Sequence, residues 1–243
     1  MSAAPTVSAA VRRRRWLRLA AVLAGAAVRA PCAPLTGARG RRRLLVCAAA
    51  RVLTAAGVRV EVRACPTGWP RTGAGHLVVA NSVCWVDELA LLTAVPGLPV
   101  RTPTVDRVAE LLRDGQTVTV RPEGRTPAGA GLGQFRPTLL QAAVDAGAPV
   151  CPVAVRYRTD VGDAVAAQLA GHPLARSLTR VVATRGLVVE LHLLPALDPA
   201  GADRRELAAL AEYAVAAVTE AGRPTPRRPR SPAGAVGVAA ARG

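Results

Sequence analysis

Within seven consecutive residues the chain places four side chains that could do chemistry together: Asn81, Ser82, Cys84 and Asp87, in ANSVCWVDELALL (80–92). They supply a carboxamide, a hydroxyl, a thiol and a carboxylate. A carboxylate there serves an acid–base relay or anchors the free N–H groups of a helix start. A thiol near a helix start, with its pKa lowered, becomes a nucleophile able to hold an acyl chain as a thioester; without a histidine beside it, it is a small buried hydrophobe. A second group, the loop RPEGRT (Arg121 to Thr126), follows, with Glu123 36 positions after Asp87. Pro122 removes a donor and ends a strand, and Gly124 lets backbone approach a ligand. Glu123 adds a carboxylate, while Arg121 and Arg125 carry planar donors that suit phosphate or simply remain solvated.

The elements that must position these groups follow from hydrophobic periodicity. His76 to Ala80 (HLVVA) is a short apolar run that predicts a buried strand, and from Asp87 the apolar spacing turns helical. A strand, a tight polar loop and a helix put Asn81, Ser82, Cys84 and Asp87 at the carboxyl edge of a sheet, where open α/β folds build their sites. Thr117–Val120 predicts the next strand, leading into the Arg121–Thr126 loop, and Pro149–Tyr157 a third. Arg180–Leu194 predicts one or two more, and Gly97–Pro103 a connection. Helices are predicted over Asp106–Asp114, over a segment ending near Ala146, and over Asp203–Ala221. Strands alternating with helices argue for one α/β domain over 58–221, with a mixed central sheet flanked by helices. Residues 1–57 read as a basic amphipathic arm and 222–243 as a disordered Pro/Arg tail. There is no internal repeat.

Composition limits the partners. Half of the residues are hydrophobic (51%) but only 2% are aromatic, so the core must be built from Val, Leu and Ala. The net charge is +16 and every basic residue is arginine, which draws the chain to anionic surfaces. Nucleic acid is the wrong anion. Stacking aromatics are too few, and no helix-turn-helix or zinc spacing occurs. The five cysteines form no CxxC and no Cys/His cluster, which predicts reduced thiols, no metal and a cytoplasmic protein. In the arm, Leu19–Val28 is shorter than the ~20 apolar residues a bilayer span needs. A secretory leader fits poorly with Arg18 and Arg29. The arm reads instead as an interfacial helix, with Arg12–Arg15 at lipid headgroups and Trp16 and the leucines dipping inward, or as a solvated arm. The first reading predicts a protein peripheral on the inner face of the cell membrane.

The run VRPEGRTPAGAGLGQFRPTLLQAAVDAGAPVCPVAVRYR (120–158) resembles the glycerol-phosphate and lysophosphatidic acid acyltransferases, the PlsC-like family. Their corresponding run is FPEGT, a Gly-containing loop, Phe-Lys or Phe-Arg, a helix and PVxPVA. Their NHxSxxD box is matched in place by NSVCWVD, Asn81 to Asp87, so the resemblance covers about 77–157. It implies an acyltransferase-type domain with no bound cofactor. The implied reaction moves an acyl chain from acyl-CoA or acyl carrier protein to a lysophospholipid hydroxyl. By the same resemblance Ser82 (at the box His), Cys84 (at the box Ser) and Asp87 fall at catalytic positions. Asn81, Arg121, Glu123, Gly124, Arg125 and Thr126 fall at substrate-binding ones.

Two departures stand out. In the family the box His is the base on the acceptor hydroxyl and the Asp orients it; here the position is Ser82, and serine is no base at neutral pH without one beside it. His76 does not replace it, because six residues at ~3.3 Å each carry it toward the opposite sheet edge. His172 and His192 lie beyond the resembling stretch. The family's Gly-x-x-Phe-x-x-Arg element is also missing between the boxes, with Arg107 the nearest substitute and Arg101 the next. Two functions remain open: a divergent acyltransferase, or a non-catalytic relative that binds lipid or acyl donor. In the first, Ser82→His is expected to raise turnover, with Asp87 free to hold the ring. If Arg125 meets the acceptor phosphate, Arg125→Ala weakens lysophosphatidic acid binding by about 1.5–3 kcal/mol. A direct titration checks this, and unchanged affinity moves the phosphate site elsewhere.

Overall fold

The structure is a computed structural model that describes residues 5–29, 37–65, 67–70, 75–95, 97–99, 104–123, 132–160, 169 and 172–221. Gly124, Arg125, Thr126, Arg101 and the tail from 222 lie outside the described residues. Seven α-helices are described: α1 (Ala9–Arg29), α2 (Gly37–Ala56), α3 (Trp85–Ala94), α4 (Val105–Arg113), α5 (Gln141–Ala146), α6 (Leu174–Ala183) and α7 (Arg204–Ala221). Six strands accompany them: β1 (Arg59–Arg63), β2 (His76–Ala80), β3 (Leu98–Pro99), β4 (Thr117–Val120), β5 (Val150–Arg158) and β6 (Val188–Leu193). They form one sheet in the order β1-β6-β5-β2-β4-β3. Only the β5–β6 pair is antiparallel, so the sheet is mixed, as its sequence predicts.

Helices cover both faces of the central strands, which is why all five residues of β2 are buried. On one face Val78, Ala80, Val153, Val155 and Leu191 pack with Leu53, Val86, Ala90 and Val181 from α2, α3 and α6. On the other, Leu77, Val79, Val118 and Ala154 pack with Val108, Leu112, Ala143, Leu207 and Ala211 from α4, α5 and α7. β4 is parallel to both β2 and β3. The carboxyl ends of these neighbouring strands therefore share one edge, and α4, joining β3 to β4, starts at that edge.

Two sequence expectations change. Arg180–Ala183 is not strand but the last turn of α6, where Ser177, Val181 and Val182 fall on one buried helical face. β-Branched residues read as strand locally; the face they bury decides otherwise. The described residues of the 1–57 segment also pack on the domain, because Leu19, Leu53 and Ala56 belong to the same core cluster as the sheet. The start of the chain is stitched to the end of α6: Val7 N donates to Ala183 O (2.8 Å) and Arg185 N to Pro5 O (2.8 Å).

Arg15 was expected at lipid headgroups. Instead its Nη1 donates to Val182 O (2.9 Å) and Thr184 O (2.7 Å), closing the carboxyl end of α6. Gly57, at φ 80°, makes room for it, since a Cβ there would come within 2.2 Å of the guanidinium carbon. The helix thus splits its arginines, with Arg15 turned inward and Arg12, Arg13, Arg14 and Arg18 exposed. Arg15→Ala should lower the unfolding free energy by about 1–2 kcal/mol, the value of a charge-assisted bond discounted for partial exposure. Arg13→Ala should leave it within about 0.5 kcal/mol. Chemical denaturation of the two variants checks the contrast.

Candidate functional site

The site forms where β2 ends and α3 begins. β5 continues past β2, whose last residue Ala80 pairs with Val153. Asn81 bridges the overhang: its Nδ2 donates to Val155 O (3.0 Å) and its Oδ1 accepts from Val155 N (2.7 Å). The carboxamide stands in for a further residue of strand, so Asn81, expected to meet substrate, is engaged by the sheet instead.

Asp87 is the third residue of α3, and Cys84 is the cap residue before it. One Asp87 oxygen, Oδ2, accepts from Val83 N (2.6 Å) and Cys84 N (2.8 Å), which stabilises the helix start. The other, Oδ1, accepts from the Tyr157 hydroxyl of β5 in a short contact. The sequence expectation of a free Asp87 awaiting an imidazole is therefore corrected, because Tyr157 fills that role. Tyr157 was missed. The available signal was alternation: Val153, Val155 and Tyr157 share one face of β5, and Asn81 already spans to Val155.

Burial sets the electrostatics. Asp87 is fully buried, which pushes its carboxyl up to about 6 despite the Tyr157, Val83 and Cys84 hydrogen bonds and the nearby Arg121 charge. Burial, then the Asp87 charge, pushes the Cys84 thiol up to about 12. Cys84 is thus a thiol at neutral pH, with Sγ 3.4 Å from the Tyr157 hydroxyl. That is the small-hydrophobe reading of the residue, and the thioester-forming nucleophile is set aside. Tyr157, buried beside Asp87, is raised well above the usual phenol range.

Glu123 enters from β4. Its Oε2 accepts from Ser82 N (3.1 Å), which joins the two chemical stretches of the sequence. Its backbone pairs with Phe135, and Arg136 N donates to Pro122 O (2.9 Å). Phe135 N in turn donates to Glu212 Oε2 of α7 (2.8 Å), a second residue the sequence did not single out. Burial, opposed by bonds from the Ser82 and Gly133 backbone and reinforced by the Asp87 and Glu212 charges, pushes Glu123 up to about 7. Arg121 is exposed and lies 3.6 Å from Glu88. Arg107 sits in the first turn of α4, at the same sheet edge, and pairs with Glu110 (2.8 Å).

The histidines are elsewhere. His76 begins β2, buried at the opposite end of the strand against Trp69, with ring centroids 6.0 Å apart. His192 lies on β6, 3.4 Å from Glu190, and His172 precedes α6 near Arg176 and Arg180. Among the described residues no cluster of His, Cys, Asp and Glu could hold a metal ion.

Comparison with known proteins agrees with this geometry. A family model described as "Acyltransferase" matches residues 97–156, which include Glu123 and nearly all of β5. A 1-acyl-sn-glycerol-3-phosphate acyltransferase of Neisseria gonorrhoeae is 29% identical over 198 residues, 69% of this chain and 76% of that protein. Together these matches support a likeness to the PlsC-like acyltransferase family. The corresponding enzyme of Neisseria meningitidis is 31% identical over 162 residues, 54% of this chain and 64% of its own. A lyso-ornithine lipid O-acyltransferase of Pseudomonas aeruginosa is 33% identical over 159 residues, 65% of this chain and 56% of its own. The chain thus spans about three quarters of the first of these relatives and somewhat over half of the other two. The fold is that of PlsC from Thermotoga maritima, with a TM-score of 0.63 at 22% identity, covering 87% of this chain and 97% of that one.

Ser82 stands where the resemblance places the imidazole, and the Tyr157 hydroxyl meets the box aspartate. The raised Asp87 value has a consequence for stability. The carboxyl holds its proton more tightly folded (about 6) than unfolded (3.8), so its contribution falls as pH rises from about 4 to 6 and is flat above. Asp87→Asn removes that fall. The variant-minus-native unfolding free energy should therefore rise between pH 4 and 6 and then level off, read from denaturation curves at stepped pH.

Proposed function

We propose that this chain transfers an acyl group from an acyl thioester, acyl-CoA or acyl carrier protein, to the hydroxyl of a lysophospholipid at an anionic membrane surface. The observation that carries the reading is the Ser82–Glu123 contact. Two stretches remote in sequence, each resembling a family box, meet through a 3.1 Å hydrogen bond at the carboxyl edge of neighbouring parallel strands. The relatives' acceptors, a 1-acylglycerol phosphate and a lyso-ornithine lipid, are both lysolipids, which supports that acceptor class. A non-catalytic lipid-binding role is favoured by one feature, Ser82 in place of the imidazole. Thiol release separates the two readings: purified protein, lysophosphatidic acid or lyso-ornithine lipid in vesicles, and acyl-CoA should yield free thiol matched by diacylated product. Binding without release selects the second reading.

The membrane part of the proposal rests on α1. No described helix is long and apolar enough to cross a bilayer. Trp16, Leu17, Leu23 and Val28 are nevertheless exposed, with Arg12, Arg13, Arg14 and Arg18 exposed on the same helix. An interfacial helix uses that pairing, apolar side chains in the acyl boundary and arginines at the headgroups. A Leu17→Asn, Leu23→Asn variant should bind anionic vesicles about tenfold or more weakly, since each buried leucine contributes about 1.5–3 kcal/mol. Native binding should weaken in high salt. Cosedimentation checks both, and unchanged binding by the variant excludes this helix as the contact.

A further inference from the structure

We propose that Glu123 is the general base of this acyltransferase, standing in for the imidazole that position 82 lacks. The inference rests on the acyl-transfer reading above and supplies the group that reading is short of.

Elimination narrows the field. Asp87 is fully buried and its two oxygens already accept three hydrogen bonds. Cys84 is held as a thiol and Tyr157 as a phenol. His76 stands at the far end of β2, and His192 is paired with Glu190 on β6. The undescribed loop 124–131, GRTPAGAG, contains no acid and no histidine. His172 precedes α6 and the exposed Glu88 lies against Arg121, so among the described groups Glu123 is left: it is half-buried and bonded to the backbone of the very residue where the family places its base. Serine is much smaller than histidine, so an acceptor hydroxyl can approach a carboxylate that an imidazole would otherwise screen.

The surroundings suit the task. Burial raises Glu123 to about 7, near working pH, and the negative charges of Asp87 from α3 and Glu212 from α7 add to it. Among the nearby cations, Arg121 is exposed and beside Glu88, and Arg136 is exposed on the following loop. Arg125 lies in the undescribed loop. On β5, the Tyr157 hydroxyl donates its hydrogen bond to Asp87.

The step balances without another reagent. The Glu123 carboxylate takes the acceptor hydroxyl proton as the oxygen attacks the thioester carbonyl carbon. The C–O bond forms and the C–S bond breaks. The leaving thiolate then takes the proton back from Glu123, giving ester, thiol and the starting carboxylate.

The test is the pH profile of kcat and KM for thiol release from acyl-CoA with lysophosphatidic acid vesicles. The native chain should show an acid limb near pH 7. Glu123→Gln still accepts from Ser82 N, yet it should lose 10²–10⁴-fold in kcat with KM changed only a few-fold, and the acid limb should vanish. Glu123→Asp keeps a carboxylate and should fall between the two with its limb retained, which covers the case of a poorly folded Gln variant. Glu212→Gln still accepts from Phe135 N but removes a negative charge, so its limb should move to lower pH. A purely structural role for either glutamate predicts no such movement. If Glu123→Gln keeps kcat within tenfold of native, the base is another group. If the native chain releases no thiol with any lysolipid, the acyl-transfer reading and the base fall together.

Discussion

The Asp87 carboxylate is the contact on which the site depends. It binds the first turn of α3 through Val83 N and Cys84 N, and it binds that turn to β5 through the Tyr157 hydroxyl. Without it, two part-buried backbone donors would lose their acceptor, at about 1–3 kcal/mol each, and the buried Tyr157 hydroxyl would keep only Cys84 Sγ. One side chain thus fixes the direction in which the chain leaves β2. Once that turn is set, the Ser82 amide points at Glu123 and the neighbouring strand is brought into the site.

Every amide of the turn from Ser82 to Cys84 is met by a carboxylate of this chain. Three successive N–H groups, normally a ready cradle for an anionic ligand, are occupied: Ser82 by Glu123, Val83 and Cys84 by Asp87. Arg107 and Arg121 stand at the same sheet edge, beside Glu110 and Glu88. The cost of holding a buried acid and a half-buried one so close appears as raised proton affinity in both.

Much of this was legible in the sequence, and for identifiable reasons. β2 is an apolar run between Gly75 and Asn81, β4 is the alternating TVTV after Gly115, and β5 is a Val-rich run opened by Pro149. Asp87 at a helix start follows from local chemistry. β1 was not legible, because RVEVR is an edge strand with charges facing solvent, and β3 is only two residues long. Tyr157 and Glu212 were missed because their roles depend on which elements become neighbours. Alternation sets the face of β5 that Tyr157 takes, but nothing local at position 157 or 212 shows that one meets Asp87 and the other the turn beside Glu123. Arg15 is the same lesson in reverse: in RRRR all four residues look alike, and only the packing of α1 on α6 turns one of them inward.

The proposed base role of Glu123 requires a proton affinity suited to neutral pH, which burial beside Asp87 and Glu212 supplies. Carbon-13 NMR of the glutamate side-chain carboxyls, followed as a function of pH, measures this without any assay of activity. The account predicts one glutamate resonance that titrates near pH 7 and is absent from the Glu123→Gln spectrum. A spectrum in which every glutamate titrates below about pH 5, the ordinary range, would contradict it.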